Sequence, residues 1–536
     1  MFEWRKEKTL HGWCSLGIQY ITSVLKKQGF EVYSSVFERE RIEKIILDIK
    51  QKKPQLVGFV LYQENLREML QLAKEVKIFN SEIKVITGGH TATLYPIKIL
   101  TECKDIDIVV CGEGEKIYIE LCKNLYGNLK DCCGIAYRNK GMIYRNPPEE
   151  LIENLDLLPM PDYQITKNMN NDRNPFVFTS ISTSRGCLGN CTFCVEHRVS
   201  RKNNRIVAWR GRSPENIIEE IAHLQKKAGN KKLLVNFVDG SIEDPDPKEK
   251  KRLNSIITLL EKKNIKMAFS FLTRADSWTG KDKELIQRMK KIGLFCVSIG
   301  FESGSPKALH IFEKRSCFED NIRAYDLFKE CSIGVNGFII MFHPYADLEM
   351  LRETADTIRR CHLGHKMESW THSIYIYPDT KIFYKTVCDG LILGTDPTGY
   401  SYQYAYVDGR VKLVEKTLEA ITDNSFIRKY DIILESINRA VQLYQVWKEQ
   451  DEIYAKVEGT MSLFMENTDK IICKTEDFYY NQFLKILVLA EEGRLKKEGD
   501  TVIQDWISHA EKNYKLISPM WLEVSMKLLR QGIKLI

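Results

Sequence analysis

The strongest constraint on this chain is a rhythm. Over residues 10 to 145, short apolar runs alternate with segments of helical period, an order that lays down strand and helix in turn. Leu16, Tyr20, Ile21, Val24 and Leu25 recur at helical spacing until Gly29 stops them, and Glu31 to Val36 follows as a strand. Leu56 to Leu61, Lys84 to Thr87 and Ile106 to Val110 are the next strands, with helices over Leu66 to Ile78 and from Glu115. Strands that alternate with helices pair in parallel and are covered on both faces. Sheets of this kind bind ligands beyond the carboxyl ends of their strands. Two glycine-rich turns fall there: Thr87-Gly88-Gly89-His90 and Cys111-Gly112-Glu113-Gly114-Glu115. Gly134 to Tyr137 and Met142 to Arg145, split by Asn139-Lys140-Gly141, form a closing hairpin. The proline-dense stretch from Asn146 to Pro175 then reads as a linker.

A second alternating series begins after the linker. Its candidate strands are Phe178 to Ser184, Leu233 to Asp239, Met267 to Phe271, Phe295 to Phe301, Val335 to Ile340 and His372 to Tyr377. One intervening helix opens with Ser213 as its cap and Pro214 in its first turn. Six strand–helix units predict a partial (β/α)6 barrel. From about Val411 the pattern is helical throughout, with apolar positions such as Ile432, Ile437, Val441 and Leu443. The expected class is α/β: a doubly wound parallel sheet over 1–145, a linker over 146–174, a partial barrel over 175–395 and a mostly helical region over 396–536. For 536 residues this agrees with a soft prior of about three domains.

Composition narrows the partners. A net charge of +7, from 79 basic and 72 acidic residues, is mild, and no stripe of arginines and aromatics forms, so nucleic acid is not an expected partner. The segment Met1 to Leu10 is charged and has no apolar core of the kind a signal peptide carries. Apolar runs of about 18 residues are missing, so no membrane span is expected and the cytoplasm is the expected location. Thiols stay reduced there, so the 15 cysteines are not expected to form a disulfide framework.

One cysteine group stands apart. Arg185-Gly186-Cys187-Leu188-Gly189-Asn190-Cys191-Thr192-Phe193-Cys194 sets three thiols within eight residues, between a strand and a helix. Thiolates are the ligands that iron–sulfur clusters require, and one loop with these spacings can wrap one face of a cubane. Three ligands leave one iron open to an outside molecule. Coincidence is the bland alternative, and a zinc site completed by His197 is another.

On these residues, 178 to about 385 resemble the radical S-adenosylmethionine superfamily, whose C-x₃-C-x₂-C loop this is. The resemblance implies a [4Fe–4S] cluster on Cys187, Cys191 and Cys194, with S-adenosylmethionine chelated to the open iron. It also implies a 5′-deoxyadenosyl radical that takes hydrogen from a substrate, and an electron donor such as flavodoxin or ferredoxin. Phe193 matches the position that flanks the adenine, with plain packing as the alternative. Asp239, in Val238-Asp239-Gly240-Ser241, stands where relatives contact the amino group, although the common Gly-Gly-Glu is missing. Ser298-Ile299-Gly300-Phe301-Glu302-Ser303-Gly304 resembles the G-x-E-S turn, which would bring Glu302 and Ser303 near the ribose. Arg274 is a candidate to pair the methionine carboxylate, against a salt bridge. Tyr377-Pro378-Asp379-Thr380 resembles the P-G-T turn with Asp379 in place of glycine.

Residues 10 to 165 are similar to the cobalamin-binding domain that precedes many such enzymes. Gly88, Gly89, His90, Gly112, Glu113, Gly114 and Glu115 are the candidate cofactor contacts. Glycines after parallel strands let backbone approach a large flat ring, while Glu113 and Glu115 also suit a helix start. No Asp-x-His-x-x-Gly occurs, so cobalamin is expected without a protein histidine on cobalt. The leading expectation is a cobalamin-dependent radical methyltransferase acting on an unactivated carbon. The alternative is a cobalamin-independent epimerase, cyclase or cross-linking enzyme, with Cys296 or Cys317 returning a hydrogen atom. A third reading is a cluster- or zinc-stabilised binding protein without catalysis. The substrate, whether peptide, lipid or small metabolite, is not legible; the helical tail is expected to cap the barrel and shape its entrance.

Overall fold

The computed structural model describes residues 2–5, 15–38, 42–163, 175–196, 201–202, 205–206, 209–396 and 398–533. It divides into two compact units. The first comprises Met1–Cys187, Val195–Asp239 and Asp396–Tyr400; the second comprises Leu188–Cys194, Gly240–Thr395 and Ser401–Ile536. His197 and much of the linker (164–174) lie outside the described residues.

The first unit is built on a seven-stranded sheet. In spatial order its strands are Ser35–Glu38, Phe2–Arg5, Leu56–Val60, Lys84–Gly88, Ile108–Val110, Ile135–Asn139 and Met142–Arg145. The first five are parallel and the last two form the antiparallel hairpin. Successive strand residues face opposite sides, so the apolar runs fill two cores. Val57, Phe59, Val85 and Val109 pack with helices Ile42–Lys52 and Leu66–Phe79 on one face. Ile86, Ile108 and Val110 pack with helices Leu16–Lys27 and Gly114–Lys123 on the other. Two differences from the periodicity appear. The strand expected over 31 to 36 forms at Ser35–Glu38, and Phe2–Arg5, too short to show a pattern, inserts beside it. The order places the second strand of the chain at the edge, which creates the switch point where doubly wound sheets open a crevice. The same unit holds a parallel pair, Phe176–Ile181 with Lys232–Phe237. Between them runs helix Pro214–Ala228, whose Ser213 Oγ accepts the Asn216 N–H at 3.2 Å as a cap.

The second unit continues with parallel strands Ala268–Arg274, Leu294–Glu302 and Gly334–Ile339, separated by helices. Ser298, Gly300 and Glu302 line the half-exposed face of the middle strand, while Val297, Ile299 and Phe301 are buried. The sixth expected strand, His372 to Tyr377, is reduced to isolated bridges, Phe342 with Ser373 in parallel and Ile376 with Tyr402 antiparallel, and a turn with Asp379 at φ +61° follows it. Asp379 thus takes the left-handed conformation that the glycine of the P-G-T turn would take. Four long helices complete the unit: Gly409–Thr422, Ser425–Gln450, Glu458–Glu491 and Leu495–Arg530. Ile437 and Leu443 are core positions as expected, but Ile432 is exposed and Leu434 takes its place inside. Among the described residues no helix is long and apolar enough to cross a membrane.

Trp370 fastens the segment after the last barrel strand to this helical layer. It is fully buried, its indole N–H donates to the Gly364 carbonyl at 2.8 Å, and its ring lies 5.1 Å from that of Phe483. Trp370→Ala is expected to cost about 3–5 kcal/mol, read as a lower thermal melting temperature, with Trp370→Phe retaining most of it.

Candidate active site

In the first unit, the two glycine turns meet. Gly89 has φ +101°, and a Cβ there would stand 2.9 Å from Val60 and 3.1 Å from the Leu61 carbonyl oxygen. Gly112 has φ +93° with open space around it, and its N–H donates to Thr93 Oγ1 at 3.0 Å, which ties the second turn to the first. The open backbone at Gly112 suits a flat macrocycle, whereas Gly89 answers to close packing. Gly88 ends its strand, Gly114 opens helix Gly114–Lys123 against Ile21, and His90 is exposed at the first position of a short helix.

Glu113 and Glu115 do something else. Arg185, two residues before Cys187, donates to Glu113 Oε1 at 2.9 Å and to Glu115 Oε1 at 2.5 Å. Arg210 holds Glu113 with both guanidinium nitrogens, at 3.0 and 2.9 Å, and also donates to the Ile152 carbonyl at 2.6 Å. The Ile152 N–H completes the shell of Glu113 at 2.8 Å. Arg185 and Arg210 face each other across the antiparallel strands Ser184–Gly186 and Trp209–Gly211, which is why both reach the same turn. Burial alone would raise the Glu113 pKa, but the hydrogen bonds and charges of Arg210 and Arg185 hold it below the ordinary carboxylate value. The carboxylates expected to meet cofactor amides are therefore occupied by protein cations. Asp239 is likewise engaged by the protein. It is buried and accepts from the Thr183 N–H at 3.2 Å, from Thr183 Oγ1 at 2.8 Å and from Ser184 Oγ, bracing the strand that leads to Cys187.

In the second unit, Cys191 and Cys194 lie half-buried in a loop with backbone and side-chain anchors. The Leu188 N–H donates to Asp244 Oδ2 at 3.0 Å, the Thr192 N–H to the Phe312 carbonyl at 3.0 Å, and Thr192 Oγ1 to the Ile311 carbonyl at 3.0 Å. Arg274 does not stand open for a carboxylate ligand: it is buried and forks onto Asp244 at 3.2 and 2.9 Å, which fixes the loop through that same carboxylate. Phe193 meets Phe312 edge-on, with ring centroids 5.4 Å apart. Glu302, at φ +63°, pairs with the buried Lys314 at 3.2 Å, and the Lys314 charge is also felt at Cys191. A cation beside the loop favours thiolate. Ser303 is buried and bonded to Thr354 Oγ1 at 2.8 Å, a packing role, while Ser298 is half-exposed on the face it shares with Glu302. Among the described residues no three metal-binding side chains converge on one point; a cubane takes each thiolate on a separate iron, so its ligands stand apart. Cys296 is buried with the Asn336 amide on its sulfur at 3.3 Å, and Cys317 is exposed at a helix cap.

A cavity of 360 Å³ lies in this unit. Phe193 and Glu302 line one part, strand Gly334–Ile339 and residues 363–377 line others, and Glu435 comes from helix Ser425–Gln450. Arg185, Arg210, Asp244 and Lys314 escaped sequence reasoning; only Arg185, two residues from the first cysteine, carried any positional hint.

Comparison with known proteins agrees with this geometry. The B12 binding domain model matches residues 8–121, and the Radical SAM superfamily model matches residues 181–358. An uncharacterized methyltransferase of Pyrococcus horikoshii is 27% identical over 76% of this chain and 85% of its own. A putative methylthiotransferase of Methanocaldococcus jannaschii is 30% identical over 61% of this chain and 68% of its own. The cobalamin-dependent S-adenosylmethionine radical enzyme OxsB, solved with aqua-cobalamin bound, shares the fold at a TM-score of 0.68 and 19% identity, over 99% of this chain and 81% of OxsB. The chain belongs to the cobalamin-binding class of the radical S-adenosylmethionine superfamily, a group that contains methyltransferases and a cyclase. Its cofactors are a [4Fe–4S] cluster, S-adenosylmethionine and cobalamin, and its turnover needs a reductant.

Breaking a buried ion network by removing one partner costs about 3–5 kcal/mol, so Arg185→Met is expected to lower the melting temperature markedly. Folding lowers the Glu113 pKa, so its contribution is complete above the unfolded value of 4.5 and is lost as pH falls through the folded value. Glu113→Gln is expected to flatten the loss of stability below that pH, measured by melting at stepped pH.

Proposed function

We propose that this chain methylates an unactivated carbon of its substrate, with Cys187, Cys191 and Cys194 as the cluster ligands and the turns Gly88-Gly89 and Gly112-Glu113-Gly114 against cobalamin. When bound, the cluster with S-adenosylmethionine supplies a 5′-deoxyadenosyl radical and cobalamin supplies the methyl group. The residues of the chain position and insulate. Gly112 would keep a side chain out of the macrocycle's way, Gly89 lets its turn pack against Val60 and Leu61, and Phe193 and Glu302 on the cavity wall would face the adenosyl part of S-adenosylmethionine. Asp244, with Arg274 behind it, keeps the cluster loop in shape. The electron comes from a flavodoxin- or ferredoxin-class donor. In this reading 1–145 is the cobalamin region, 146–174 the linker, 175–395 the barrel and 396–536 the helical cover.

The observation that carries the reading is the Arg185 bridge, which ties the turn assigned to cobalamin to the strand that delivers the first cluster cysteine. Two cofactors that must act on one substrate need such a tie; a chain using either alone does not. Neither Cys296 nor Cys317 is among the cavity-lining residues, so the hydrogen-returning alternative has no support from them.

Anaerobic reconstitution with iron, sulfide, hydroxocobalamin, S-adenosylmethionine and a reductant tests this. S-adenosylhomocysteine formed beside 5′-deoxyadenosine, with corrinoid retained, is the expected result; deoxyadenosine alone without corrinoid would sink methyl transfer. Cys191→Ala is expected to abolish cluster iron. Gly112→Val, which forces a branched side chain into a left-handed turn, is expected to release cobalamin while leaving cluster iron unchanged.

A further inference from the structure

The cavity contains one group that the cofactor chemistry does not use. His365 is 8% exposed, and its Nδ1 lies 3.0 Å from Glu476 Oε1. Burial opposes ionisation of Glu476, yet the hydrogen bonds and charge of His365 and His362 keep its pKa below the ordinary value, so it is a carboxylate. A carboxylate accepts, so the His365 Nδ1 carries a hydrogen and directs it at Glu476, which leaves Nε2 as the second ring nitrogen to be satisfied. That Nε2 is buried without a hydrogen-bond partner, on a residue that lines the cavity. Native proteins seldom leave such an atom unsatisfied unless something else completes it.

Its neighbour Lys366 also lines the cavity and donates to Asn336 Oδ1 at 3.1 Å. An ammonium has three donors, so Lys366 has capacity to donate to a ligand as well. Register locates this end: Asn336 is level with Ser298, whereas Glu302 is level with Ile339, three residues further along the strand. At a strand's rise that is roughly 10 Å, so the His365–Lys366 end is distinct from the Glu302 end. Glu368 and Glu435 add further polar wall.

Resting on the reading above, we propose that this end of the cavity is the substrate subsite and that it takes a hydroxyl-bearing, water-soluble small molecule. A hydroxyl both gives and accepts a hydrogen, so one such group can meet His365 Nε2 and Lys366 Nζ together; a hydrocarbon chain would dehydrate both groups and satisfy neither. Glu476, 111 residues away in sequence, is the positioning residue that sets the imidazole.

Affinity selection tests this without requiring turnover. Reconstituted holoenzyme is dialysed against two extracts of its native cells, one aqueous and one lipid, and the retained compounds are identified by mass spectrometry. The expected result is a hydroxylated compound retained from the aqueous extract, with retention falling about tenfold in His365→Gln and less in Glu476→Gln, at iron and cobalamin contents equal to wild type. Retention of a lipid, retention of nothing, or equal retention by wild type and His365→Gln overturns the subsite. Supplying the retained compound with deuteromethyl-labelled S-adenosylmethionine separates the two readings: binding without label transfer leaves the subsite standing and removes methyl transfer.

Discussion

The first unit depends on one buried exchange of charge, Arg185 and Arg210 against Glu113 and Glu115. Each arginine arrives from one strand of an antiparallel pair, and both carboxylates sit at the start of one helix. Removing four charges from water is expensive, and only close, multiply bonded geometry offsets it. The network meets that demand with two-pronged contacts and the Ile152 backbone on either side of Glu113. Its gain is less in stability than in register, because a shift of either turn would leave a buried charge alone.

A similar device recurs in the second unit. Asp244 receives the Leu188 N–H and the Arg274 fork, and Glu302 receives Lys314. Ionised groups near the candidate cofactor contacts are matched by named protein partners, which leaves glycine backbone, aromatic edges and the cavity wall as the surfaces for ligand. That arrangement is sensible for radical chemistry, in which a loose acid or base beside the reacting carbon would invite side reactions.

How much of this was legible in the sequence follows from the range of each interaction. Strands such as Leu56–Val60 and Leu294–Glu302, and the three-cysteine loop, are written in local spacing and were readable. The short strand Phe2–Arg5 has too few residues to show a period, and His372 to Tyr377 looks extended in composition but forms only isolated bridges. The protein partners of the candidate acids were hidden for a physical reason. Glu113, Glu115 and Asp239 occupy the places where ligands bind, yet their partners lie 72, 70 and 56 residues away, and no local pattern reveals an arginine or threonine at that distance. His365 and Glu476 carried no signal at all, because their meeting is made by helix packing.

The bonds that shape the cluster loop come from well outside the cysteine motif. Leu188, Thr192 and Asn190 are anchored to Asp244, to the carbonyls of residues 311 and 312 and to Glu313. The loop's outline is thus set in part by groups that are not cysteines. Side chains far along the chain therefore have a hand in how the three thiols are spaced.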